Sequence, residues 1–227
     1  MSLKTILEFI RPAHKVPTTV WSSETPLNLK PKFTTFLFLV SGLWIFGTGE
    51  AILIDAGIGV SPWTVLAQGI SKQVDLTVGM ATFVVSVLVL FLWIPLREIP
   101  GIGTILNAIL IALSLDVMAP FIPDQTELVP AIIQSSIGIV LVGIGSALYL
   151  TANLGPGPRD GWMTGIQKKT DWPIGRVRVG IEILVLSIGI ILGGTFGLGT
   201  IMFALGLSLI HISEPTRRYA ISYADIS

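Results

Sequence analysis

Long apolar runs alternate with short polar breaks along this chain, and the runs have the length of membrane spans rather than of core helices or strands. They recur at Phe33–Ala56, Val78–Pro95, Ile102–Pro123, Val129–Ala152, Ile174–Leu192 and Gly199–Ile212. A bilayer asks for roughly 17 to 25 apolar residues per helix. The first five runs reach that length, whereas the sixth has 14 residues. The pattern predicts an all-α polytopic membrane protein.

The runs fall into two copies of one unit. Ala51–Gly79 lies over Ala147–Gly175 at a constant offset of 96 residues without a gap, with identities at Ala51/Ala147, Ala56/Ala152, Gly59/Gly155, Pro62/Pro158, Gly69/Gly165, Lys72/Lys168, Asp75/Asp171 and Gly79/Gly175. The register still holds where Gly101-Ile-Gly-Thr-Ile105 lies over Gly197-Leu-Gly-Thr-Ile201. Internal duplication of interrupted apolar segments is the sequence sign of a transporter-like core. Three spans per copy is an odd number, so the second copy enters the membrane from the opposite face. Six spans in two inverted three-helix repeats are therefore expected, and a five-span count would leave the second repeat incomplete. The organisation reads as a leader over 1–32, repeats over 33–128 and 129–212, and a tail over 213–227 that begins to depart from the repeat as early as Ser208.

Each copy carries a Gly/Pro break followed by a short helix. Ser61 is placed to cap a helix Pro62–Lys72, and the run Leu154-Gly-Pro-Gly-Pro-Arg-Asp-Gly161 precedes a helix Pro158–Lys168. Proline suits the first helical position because its missing N–H costs nothing there. About 11 residues rise only ~16 Å, too little to span. Two readings stay open. The short helices fold back as re-entrant halves whose N-terminal amides, Gly155 and Gly157 among them, converge with Arg159 and Asp160 on a solute, or they lie at the interface with Trp63 and Trp162 at headgroup level.

Acidic residues inside apolar runs are rarer. Glu50, in GLWIFGTGEAILIDAG, and Glu182, in VGIEILVLSIG, are candidates for proton or ion coupling, because an unpaired carboxylate in hydrocarbon is costly. For Glu182 an Arg178 pair at i, i+4 is the plainer alternative. Gly42, Gly47 and Gly49 match Gly138, Gly143 and Gly145 at the same offset, a small-residue stripe that predicts close crossing of the first and fourth spans.

Composition fits this solvent: 52% of residues are apolar, 12% are charged, and the mean hydropathy is +0.81. The charged share is about half that of an ordinary soluble domain. With no cysteine and two histidines, His14 and His211, neither a thiol site nor an imidazole metal cluster is expected, and no cofactor is implied. A net charge of zero excludes nucleic acid as a partner. No HExxH, phosphate loop or nucleophile arrangement points to an enzyme. The Lys/Arg-rich side collects the leader, Arg97 and the connection from Arg159 to Arg178, which predicts a cytoplasmic N-terminus in the bacterial inner membrane. The leader, broken by Pro12, Pro17 and Pro26, is expected to be a loose tether with at most a short helix over Thr5–Ile10.

The segments Ala56-Gly-Ile-Gly-Val-Ser-Pro-Trp63, Pro100-Gly-Ile-Gly-Thr-Ile-Leu-Asn107, Ala152-Asn-Leu-Gly-Pro-Gly-Pro-Arg-Asp-Gly161, Gly175-Arg-Val-Arg178 with Glu182, and Gly193-Gly-Thr-Phe-Gly-Leu-Gly-Thr200 resemble the YczE/YyaS-like bacterial integral membrane proteins, with the YitT group as relatives. The resemblance covers Phe33 to about Leu207 and implies a multi-pass inner membrane protein, with no catalytic or binding residues to carry over. The tail SLIHISEPTRRYAISYADIS departs from it and reads like translated adapter sequence.

Taken together, these features favour a secondary transporter or permease of a small polar solute, with the bilayer as surroundings. Arg159, Asp160, Gly155, Gly157 and Ser61 are the expected solute contacts, and the anion preference rests on Arg159 and the helix N-termini. The alternative is a non-transporting scaffold or accessory protein with its interior filled.

Overall fold

The computed structural model describes residues 19–211, in which the chain forms eight α-helices: α1 (Phe33–Asp55), α2 (Pro62–Val74), α3 (Val78–Phe91), α4 (Ile102–Met118), α5 (Leu128–Thr151), α6 (Pro158–Thr170), α7 (Ile174–Ile191) and α8 (Leu198–His211). Short 3-10 turns at Ile94–Leu96 and Ala119–Phe121 extend α3 and α4. Among the described residues, four segments are long and apolar enough to cross a membrane: Phe33–Asp55, Val78–Leu96, Ile102–Phe121 and Leu128–Thr151, with 19 to 24 residues each. Helix α7 is not one of them; its 18 residues include Arg176, Arg178 and Glu182. Large apolar side chains such as Leu88, Ile133, Ile144 and Ile191 face outward along the bundle, as a lipid-facing surface requires.

The breaks form as the residue types dictate. Ser61 Oγ accepts from Thr64 N at 3.4 Å, Pro62 occupies the first turn of α2, and Asp75 closes the helix in the left-handed region at φ 53°. Helix α6 starts at Pro158 and closes at Asp171 with φ 55°. Both are 13 residues long, two more than the spacing suggested, and remain too short to span. Gly59 and Gly155, in the turns before them, take φ of +115° and +108°, a conformation only glycine adopts freely.

The most extensive packing joins α1 to α5. A Cβ on Gly42 would come within 3.0 Å of Gly145 O, and one on Gly49 within 2.8 Å of Gly138 O, so the backbones touch where the glycine stripe falls. Contacts recur with the copies exchanged. Gly103 N donates to Leu154 O at 2.7 Å, and Gly199 N donates to Ile58 O at 2.8 Å; each atom of the second bond lies 96 residues from an atom of the first. Gly101 N donates to Thr104 Oγ1 at 3.2 Å, as Gly197 N does to Thr200 Oγ1 at 3.3 Å.

The core gathers in three groups. Trp63, Val85, Met163 and Val185 join α2, α3, α6 and α7; Leu39, Leu43, Ile111 and Leu154 join α1 and α4 to the loop after α5; Leu53, Val65, Val142 and Phe203 join α1, α2, α5 and α8. Trp63 is buried among these side chains, while Trp162, which the interfacial reading of the short helices also used, is half-buried against them.

The leader also differs from a loose tether over its described part. Trp21 stacks on Phe38 at 4.4 Å, Ser22 Oγ donates to Thr151 O at 2.6 Å, and Asn153 Nδ2 donates to Ser23 O at 2.8 Å. These contacts tie residues 21–23 to the end of α5 and the start of α1. The expected helix at Thr5–Ile10 and the tail beyond His211 lie outside the described residues.

Candidate functional site

Glu50 follows Gly49 on α1, one residue past the closest approach to α5, and its carboxylate is turned inward with 2% exposure. The break that ends α1 brings the chain back beside it. Thr64, in the first turn of α2, donates its hydroxyl to Glu50 Oε2 at 2.7 Å, and Ser61 donates to the same oxygen at 3.3 Å. The other oxygen, Oε1, is buried and accepts no hydrogen bond from the described residues.

Opposite stands the first turn of α6. Arg159 places its guanidinium carbon 5.0 Å from the centroid of the Trp63 ring, within cation–π range. Trp63 is braced in turn by Trp162, edge-on at 6.3 Å. Asp160 accepts from Tyr149 Oη at 2.9 Å, which ties α6 to the last turn of α5. On α7, Arg178 Nε donates to Glu182 Oε1 at 2.8 Å, so the i, i+4 pair that the spacing allowed is formed.

Glu50, Ser61, Trp63, Tyr149, Arg159, Asp160, Arg178 and Glu182 line one cavity of about 90 Å³, with Thr64 and Trp162 behind them. Its walls are built from matching places in the two copies: Glu50 and Ser146, Ser61 and Gly157, Trp63 and Arg159, Thr82 and Arg178, Ser86 and Glu182, Asn107 and Phe203 each stand 96 residues apart. In five of the six pairs the side chains differ in charge or polarity. The second copy contributes Arg159, Asp160, Arg178 and Glu182, while the first contributes Glu50 and uncharged hydroxyls. Three carboxylates thus face two guanidinium groups.

In the second break, backbone carbonyls find side-chain donors. Thr104 Oγ1 donates to Pro156 O at 2.7 Å, and Trp93 Nε1 donates to Pro158 O at 2.9 Å. Such satisfaction is what permits irregular backbone away from water. Of the residues expected from sequence, the fold brings Glu50, Ser61, Gly157, Arg159, Asp160 and Glu182 to the cavity. It does not bring Gly155, which packs against Thr104 and Gly101 instead. Sequence reasoning missed Thr64, Trp63, Tyr149 and Asn107. The 96-residue register carried a signal for two of them, because Trp63 matches Arg159 and Thr64 matches Asp160. Among the described residues no three His, Cys, Asp or Glu side chains converge as a metal site.

The profile of a family of unknown function, DUF6198, matches residues 33–212, from the start of α1 past the end of α8. The chain belongs to this family. It is similar to an uncharacterized protein of Haemophilus influenzae, with 40% identity covering 86% of this chain and 88% of that one. Two Bacillus subtilis proteins are also similar: the uncharacterized membrane protein YczE, at 34% identity over 82% of this chain and 88% of its own, and the uncharacterized protein YyaS, at 30% over 79% and 92%. No solved structure matches. The chain is therefore a multi-pass bacterial membrane protein of the YczE/YyaS/YitT-like type, as the sequence motifs implied.

Proposed function

We propose that the protein is a secondary transporter or permease of a small polar solute and that the cavity between the two copies holds the solute. The observation that carries this reading is the cavity itself. An apolar bundle that lines a space of about 90 Å³ with five acidic or basic side chains retains groups that are costly in hydrocarbon and that mark solute or ion paths in membrane proteins. At the 10–15 Å³ that a water needs on this measure, there is room for roughly six to nine water-sized positions. Nothing larger than a small metabolite fits without movement of the walls.

The architecture that goes with this function is six spans in two inverted three-helix units, with the N-terminus cytoplasmic in the inner membrane. The exchanged hydrogen bonds at Gly103–Leu154 and Gly199–Ile58 support it, since reciprocal contacts are what a two-fold relation between the copies would produce. Short α8 and charged α7 count as spans in this arrangement because α1, α5 and the other helices flank them. Glu50 is the coupling group. Glu182, paired with Arg178, is the weaker candidate for that role.

An anion preference has less support than the sequence suggested. Glu50 faces the same space as Arg159, and carboxylates outnumber guanidinium groups three to two along the walls. Uptake by proteoliposomes of the full chain, assayed over a panel of small zwitterions, cations, anions and neutral polar solutes at two pH values, tests the proposal. We expect uptake of at least one solute class and its loss in Glu50→Gln. No uptake for any class, with the protein correctly inserted, would shift the assignment to a scaffold. That second reading draws on Glu50 Oε2, which is already hydrogen-bonded twice as a packed, silent residue would be.

A further inference from the structure

We propose that the cavity is a site for a small zwitterion, a compound with an ammonium and a carboxylate separated by one or two carbons. The inference deepens the transport reading and takes its purpose from it, yet it concerns binding and stands on the cavity's own geometry. Glu50 presents one free acceptor: Oε2 is engaged by Thr64 and Ser61, while Oε1 is buried and accepts nothing. A buried carboxyl oxygen without a donor is costly, so a ligand that donates to it gains more than a surface contact would. Arg159 presents the complementary need. One side of its guanidinium is taken by the Trp63 ring, and among the described residues no carboxylate lies within ion-pair distance of it. Its fork of N–H donors suits a ligand carboxylate, which it can hold through two bonds.

The two groups line one cavity, one from each copy, and are of opposite charge type. A simple cation would serve Glu50 and leave Arg159 unmatched. A simple anion would serve Arg159 and leave Glu50 Oε1 both unmatched and repelled. Only a ligand carrying both charges answers both groups, and at about 90 Å³ the space suits a molecule of about five to seven non-hydrogen atoms. Of the charges nearby, Arg178 and Glu182 are occupied with each other, while Asp160, which accepts from Tyr149, acts on Arg159 together with Glu50 and leaves the walls with one carboxylate in excess.

The test is calorimetric titration of the purified full chain in detergent with glycine, β-alanine, methylammonium and acetate, the last two being the separate halves of the first. We expect glycine or β-alanine to bind at least about tenfold more tightly than either half, the gain expected when a second charge-assisted hydrogen bond is added. Glu50→Gln should weaken zwitterion binding about tenfold while acetate, freed of repulsion, binds at least as well as before; Arg159→Met should weaken zwitterion binding about tenfold while methylammonium binds at least as well as before. Methylammonium binding as tightly as glycine would overturn the proposal in favour of a cation site, acetate doing so would favour an anion site, and absence of glycine and β-alanine binding would end it. The ligand series on the unaltered chain decides even where a variant fails to fold. Glycine that binds but is not taken up by proteoliposomes sinks the transport reading alone, and uptake of another solute without zwitterion binding sinks this inference alone.

Discussion

Arg159 and Trp63 occupy the same place in the 96-residue register, and in the fold they meet, guanidinium over ring at 5.0 Å. The fold thus brings two positions that the register equates into direct contact. Divergence there has been complementary: one copy holds the cation and the other the aromatic face that receives it. A double-mutant cycle with Trp63→Leu and Arg159→Met should give a coupling of about 0.5–2 kcal/mol, read from reversible unfolding in mixed micelles. Additive effects would mean that the ring only packs.

The α1–α5 crossing should be intolerant of the smallest added group. At Gly145 a Cβ would lie 2.6 Å from Gly42 O and from Phe46 N, both backbone atoms that cannot swing aside. Gly145→Ala is expected to cost about 1–3 kcal/mol by overpacking. Gly180→Ala is the control: nothing lies within 4 Å of the added carbon on α7, and relief of glycine in a helix interior should stabilise by up to about 1 kcal/mol. Thermal unfolding of both variants in detergent should therefore move in opposite directions.

Much of this was readable in the chain because duplication makes a sequence comment on itself. The glycine stripe, the proline-started helices and the Ser61 cap each appear twice or have a counterpart at fixed spacing, and each is a local rule of backbone geometry. The contents of the cavity were less readable. Glu50 stood out as an acid in an apolar run, but Thr64, which holds it, lies 14 residues on across a turn whose direction only the packed fold sets. Trp63 read only as a headgroup-level side chain, and its place beside the Arg159 guanidinium follows from packing between the copies that no local pattern carries. Gly155 shows the opposite failure. Its φ of +108° explains the glycine fully, and no solute role follows from it.

Holding Glu50 should depend more on Thr64 than on Ser61, because the shorter bond to a buried carboxylate is the one at 2.7 Å. Thr64→Val should destabilise by about 1–3 kcal/mol, the range for leaving a buried polar group short of a partner. The same substitution in a Glu50→Leu background should cost clearly less, since the acceptor is gone. An equal cost in both backgrounds, measured by the same unfolding assay, would place the role of Thr64 in helix packing instead.

The side of the membrane reached by each short helix decides between inverted and parallel copies. Lys72, near the end of α2, donates to Gly193 O at 2.7 Å in the loop after α7, while Lys168, near the end of α6, pairs with Glu98 at 2.8 Å in the loop after α3. The two lysines are counterparts in the register, so each short helix reaches the third connection of the other copy. Two inverted units put such counterparts on opposite faces; two units of the same sense put them on one. The cysteine-free chain lets Lys72→Cys and Lys168→Cys be labelled with a membrane-impermeant thiol reagent in right-side-out and inverted vesicles. We expect each site to react in one vesicle orientation and not the other, with the preferences reversed between the two variants. Reaction of both from the same side would rule out the inverted arrangement.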